Sequence, residues 1–101
     1  MIVYSVTVNI NESIHEDWFA WMKNKHIPDV MATGYFSEYR MLRVISRQDD
    51  EQGISYNIQY TCDSMADLHQ YQVQKAPALQ KEHSDLYDGK FAAFRTLLEL
   101  V

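Results

Sequence analysis

The sequence predicts an α+β fold in which a four-stranded antiparallel sheet carries its helices on one face. Three observations lead there. The chain opens on a strictly alternating run, three more extended runs follow, and two amphipathic stretches, each containing a proline, separate them in the order β-α-β-β-α-β.

Residues 2–10 set Ile2, Tyr4, Val6, Val8 and Ile10 at period two against Val3, Ser5, Thr7 and Asn9, the spacing of a half-buried strand. Ser13 and Glu16 then stand at capping-box spacing, with Asn11 as an alternative cap. The helix that follows carries Ile14, Trp18, Trp21 and Met22 on one stripe. Pro28 disfavours helical torsions at Ile27, so the helix is expected to end or bend there. Pro28 then opens a short second helix over residues 29–33, which Gly34 stops.

Residues 35–45 read as a second strand, apolar on both faces. The charged segment 47–53 (RQDDEQG) reads as the turn of a hairpin leading to a third strand. In that strand Ile54, Tyr56, Ile58, Tyr60 and Cys62 alternate with Ser55, Asn57, Gln59 and Thr61. Ser64 and Asp67 repeat the capping-box spacing, after which Met65, Leu68, Gln72 and Ala76 share a helical face. Pro77 interrupts, Leu79, His83 and Leu86 continue, Gly89 stops the helix, and residues 91–101 form the last extended run. This is the ferredoxin-like βαββαβ plan, read as a single domain over residues 1–101.

Helices can cover only one face of such a sheet. The other face shows Val3, Ser5, Thr7, Ser55, Asn57, Gln59 and Thr61, with apolar additions from the second and fourth strands. An open solvated face is one reading. The two-sided hydrophobicity of the second and fourth strands favours another, in which two copies pack these faces together into a barrel-like homodimer.

Composition narrows the function. Fourteen acids against nine bases leave a net charge of −5, and the basic residues are scattered, so neither nucleic acid nor an anionic membrane is expected as a partner. The sheet face also lacks the stacking aromatics of RNA-binding sheets. One cysteine, Cys62, allows no intrachain disulfide and fits the cytoplasm, where a small buried hydrophobe is its expected role. No signal peptide is visible, and no apolar run approaches the ~20 residues that span a bilayer. Three glycines, each at a turn, provide no phosphate loop, and there is no nucleophile elbow or C-x-x-C pair.

The run from Trp18 to Pro28, an aromatic helix ending in histidine, one residue, then proline, resembles the first helix of dimeric α+β barrel proteins. Over its whole length the chain is most similar to a small bacterial family of unknown function in that superfamily. The likeness is carried by H-I-P-x-V-M-x-T-G-x-F at residues 26–36 and F-R-T-L-L-E at residues 94–99. It implies the fold and a dimer. Related families include monooxygenases, haem-degrading enzymes, isomerases, cyclases and dehydratases acting on small, often aromatic, molecules, which is analogy at the level of fold.

His26 is the candidate catalytic residue. It stands four after Met22 and eight after Trp18, on the buried stripe, and it precedes a helix N-terminus that disfavours its charged form. A neutral imidazole there suits a general base or a hydrogen-bond partner for a ligand. The competing reading is a structural histidine in a non-catalytic regulatory or interaction module. Trp21, Tyr56, Tyr60 and His83 are the candidate ligand-binding residues, while His15 and His69 are expected on polar helix faces. Arg95 opposes an apolar pattern and is expected to pair with Glu99 or to anchor a carboxylate ligand. No metal site and no cofactor are expected. Haem is conceivable by analogy with those families, and it would need an axial ligand in the pocket, His26 or His83.

Overall fold

The computed structural model describes residues 1–46 and 51–101 and has the ferredoxin-like α+β fold. Strands β1 (Ile2–Ile10), β2 (Glu38–Arg43), β3 (Ile54–Cys62) and β4 (Phe91–Glu99) form one sheet in the order β2-β3-β1-β4, every neighbouring pair antiparallel. Helices α1 (His15–Trp21), α2 (Ile27–Ala32), α3 (Met65–Gln74) and α4 (Ala76–Tyr87) complete it.

The period-two reading places the core correctly. Tyr4, Val8 and Ile10 of β1 and Tyr56, Ile58, Tyr60 and Cys62 of β3 are buried on the helix-facing side. The helices add Trp18, Met22, Ile27, Val30, Leu68, Tyr71, Ala76 and Tyr87 to the same cluster. No helix among the described residues is long and apolar enough to cross a membrane.

Several local expectations change. The first cap is Asn11, whose Oδ1 accepts from the Ser13 N–H at 2.9 Å and opens a 3-10 turn, Glu12–Ile14. Ser64 caps α3 by accepting from the Asp67 N–H at 3.2 Å. The helix does not break before Pro28. A π turn, Met22–His26, closed by the Ile27 N–H on the Met22 carbonyl, joins α1 to α2, and Ile27 keeps helical torsions (φ −62°, ψ −45°). The wider turn makes room for a proline ring that would otherwise meet the carbonyl of the preceding turn.

β2 starts later than residues 35–45 suggest, because Phe36 turns to stack on Tyr4 and meet Tyr71 edge-on at 4.8 Å, and it ends at Arg43. In the second helical pair Met65, Gln72 and Leu86 are exposed. The buried stripe of α4 runs instead through Ala76, His83 and Tyr87, with Leu79 half-buried, the 3- and 4-residue spacing of an α-helix. Of the charged turn 47–53, residues 47–50 lie outside the described residues. Gly53 closes it at φ +80°, where a Cβ would lie 2.5 Å from the Ile10 carbonyl oxygen, so no other residue fits.

The uncovered face is polar at its centre and apolar at its edges. Asn57 Nδ2 donates to Ser5 Oγ (2.8 Å) and Thr7 Oγ1 (3.0 Å), Asn9 Nδ2 to Ser55 Oγ (3.0 Å), and Arg40 Nη2 to Gln59 Oε1 (2.9 Å). Phe94 (62% exposed) and Leu98 (44%) stand on β4 beside this band, and Leu42 (39%) on β2.

Candidate functional site

Between sheet and helices lies a cavity of about 270 Å³. Its floor is Tyr4, Val6 and Val8 of β1 with Ile58 and Tyr60 of β3. Its roof is Met22, His26, Val30 and Tyr71, with Leu79, Gln80, His83 and Ser84 of α4. Phe91, Ala92, Ala93 and Arg95 of β4 close the side. Space remains there because β4 presents only the small Ala93 opposite Val8.

The fold brings His26 and His83 together edge-on, with ring centroids 5.9 Å apart, an approach their helix positions alone do not dictate. Among the described residues no third metal-ligating side chain joins them. Trp18, fully buried, donates its indole N–H to His83 Nε2 at 2.9 Å. An indole nitrogen can only donate, so His83 must be neutral, with its proton on Nδ1. Burial pushes the His83 pKa down to about 4, and the neighbouring His26 and Arg95 add to the effect. His26 is also lowered, by burial first, while the Glu82 carboxylate pulls the other way. His26 Nδ1 is buried with no hydrogen-bond partner among the described residues, and its ring lies tilted on Trp21 at 5.0 Å.

A pH dependence follows. Below about pH 6.5 the unfolded chain takes up a proton that His83 refuses in the folded protein. Stability is therefore complete above that value and falls as the pH drops, until the folded site itself protonates near about 4. Between about pH 7.5 and about pH 5 the expected loss is about 2 kcal/mol from His83, and His26 contributes with the same sign. Urea denaturation across that range checks it. In His83→Gln the slope should shrink to the share left by His26, and an unchanged slope would place the effect elsewhere.

Of the five sequence-predicted site residues, the structure places His26, His83 and Tyr60 on the cavity wall. Trp21 lies behind it, against His26, His83 and Tyr87. Tyr56 lies further along β3, where its hydroxyl meets His15 Nε2 at 2.7 Å and its ring packs on Trp18. The four-residue spacing puts Tyr56 on the face of Tyr60 but about 13 Å along the strand. His15 is correspondingly half-buried rather than exposed, and His69 is exposed. Cys62 is buried near the end of β3, and burial pushes its thiol pKa up.

Three cavity residues escaped the sequence reading as site residues or had another partner. Tyr4 was legible only as part of an alternating strand, and Tyr71 only as three after Leu68. Arg95 does not pair with Glu99, which lies four residues along the same strand face. Its Nε donates to Tyr4 Oη at 2.9 Å instead. Burial raises the pKa values of Tyr60 and Tyr71, keeping both hydroxyls protonated.

One protein family matches the sequence from residue 1 to residue 101. The chain belongs to the Domain of unknown function (DUF4286) family. No curated protein matches the DUF4286 chain. Its fold is shared with an ethyl tert-butyl ether d (ethd) family protein from Bacillus halodurans at 13% identity and TM-score 0.73, the alignment covering 100% of each chain. A protein from Arabidopsis thaliana aligns at 10% identity and TM-score 0.73, over 100% of this chain and 96% of that one. SnoaB, a cofactor-independent oxygenase from Streptomyces nogalater, aligns at 13% identity and TM-score 0.64, over 99% and 92%. At these identities the likeness is one of fold, that of the dimeric α+β barrels.

Proposed function

We propose that this protein binds or converts a small apolar or aromatic molecule in the cavity between sheet and helices, with neutral His26 as base or hydrogen-bond partner. The observation that carries the reading is the Nδ1 of His26, without a partner among the described residues and buried on a ring that lines a cavity of mixed apolar and polar wall. Buried polar atoms are nearly always paired, and a lone one asks for a partner that arrives from outside. A cavity of about 150 Å³ takes up benzene, so one of about 270 Å³ has room for one or two rings. Tyr60 and His83 orient the ligand from opposite walls, with Trp21 backing both histidines and Tyr56 supporting Trp18. The shared fold of a cofactor-independent oxygenase is compatible with such chemistry.

We infer further that residues 1–101 act as one domain that pairs with a second copy through the bare sheet face, and that the protein works in the cytoplasm. The polar centre of that face already satisfies its own hydrogen bonds, so covering it leaves few donors stranded. Phe94, Leu98 and Leu42 supply apolar area at its edges.

His26→Ala tests the site. Since Nδ1 makes no hydrogen bond, removing the ring forfeits mainly its stacking on Trp21 and its burial, an expected cost of about 1–2 kcal/mol. Binding of aromatic probes retained by the wild type, followed by tryptophan fluorescence, should weaken about tenfold or more. A loss of several kcal/mol in stability with binding intact would make His26 structural and the protein a non-catalytic regulatory or interaction module.

A further inference from the structure

Arg95 sits on β4 opposite Val6, and its side chain reaches the helix-facing side at the cavity wall. Its Nε is committed to Tyr4 Oη, which orients the guanidinium and leaves the Nη edge to bind something else. Among the described residues no carboxylate pairs with Arg95, and the described cavity wall contains no aspartate or glutamate. Glu99, the acid on its own strand face, is about 13 Å along the chain.

The remaining polar groups of the wall, the tyrosine hydroxyls, Gln80, Ser84 and the two imidazoles, can each donate a hydrogen bond, as a carboxylate requires. Tyr4, having accepted from Arg95, still has its own O–H to give. Tyr60 and Tyr71 carry protonated hydroxyls, and His83, with Nε2 occupied by Trp18, presents Nδ1–H. Both histidines are neutral, so the wall carries one formal positive charge and no negative one.

We propose that the ligand is a small aromatic or apolar monocarboxylate, its carboxylate held by Arg95 and its apolar body lying against Val6, Val8 and Ile58. The inference rests on the cavity reading above and narrows it to one charge and one functional group. A planar guanidinium fork is the side chain best matched to a carboxylate, and such charge-assisted pairs are about twice as strong as neutral hydrogen bonds.

The test compares benzoate, phenylacetate and 1-naphthoate with their primary amides, by calorimetric titration of the full chain and of Arg95→Gln and Arg95→Lys. At least one acid is expected to bind the wild type about tenfold or more tightly than its amide. That preference should vanish in Arg95→Gln and fall partway in Arg95→Lys, while affinity for the amide stays constant. Equal affinity for acid and amide would overturn the carboxylate inference and leave the cavity reading standing. A preference that survives Arg95→Gln would overturn the assignment to Arg95. Failure of every acid and every amide to bind would overturn the cavity reading together with this one.

Discussion

Trp18→Ala is expected to lower the free energy of unfolding by about 3–5 kcal/mol, much of the stability of a chain this size. Trp18 is fully buried between β3 and α4, with Tyr56 on one side at 5.4 Å and His83 on the other. Two losses combine. Truncation opens a void that the surrounding rings of Tyr56 and His83 can fill only in part. It also removes the hydrogen-bond donor that His83 Nε2 has among the described residues, stranding an acceptor in the core. Trp18→Phe separates them, since it retains most of the volume and loses the N–H, and should cost about 1–3 kcal/mol. Urea denaturation at one fixed protomer concentration provides the comparison, because an associating protein gains stability with concentration. A cost near zero for Trp18→Phe would mean that the indole–imidazole bond contributes nothing. In that case the Nδ1–H tautomer of His83 would also lose its main support.

Phe94→Asp is expected to dissociate the homodimer proposed above into monomers. Phe94 is 62% exposed and faces away from the helices opposite Thr7, beside the hydrogen-bonded polar band. In a two-fold interface the change occurs twice, burying a carboxylate of each copy where an aromatic ring stood. At about 2 kcal/mol or more per copy, the dissociation constant rises about a thousandfold. Sedimentation velocity reads the outcome directly. Val73→Asp, at a site of equal exposure on α3, carries the same charge change on the helical side and should leave association untouched. A dimer that survives Phe94→Asp would move the interface off the sheet face.

Much of this architecture was already legible in the amino-acid order. Period-two alternation in β1 and β3 selects the buried face residue by residue, because successive side chains on a strand point to opposite sides. The helix stripe through Trp18 and Met22, the position of His26 on it and the glycine stops follow from equally local rules. Local rules failed where a side chain's partner is remote in sequence. Phe36 turns into the core because Tyr4 and Tyr71 await it there, ending a strand that propensity alone would lengthen. Ile27 stays helical before proline because a π turn adjusts the backbone ahead of it.

The candidate site divides the same way. His26 was identifiable as an inward-facing histidine from spacing alone. Only the tertiary structure decides that it meets His83, that Trp18 fixes the His83 tautomer across 65 residues of chain, and that Tyr56 stands away from the cavity. It also decides that Arg95 turns to Tyr4, 91 residues away, rather than to Glu99. The physical reason is that periodicity reports which face a side chain occupies. What lies across that face is set by how two helices and an edge strand pack together, which no local window contains.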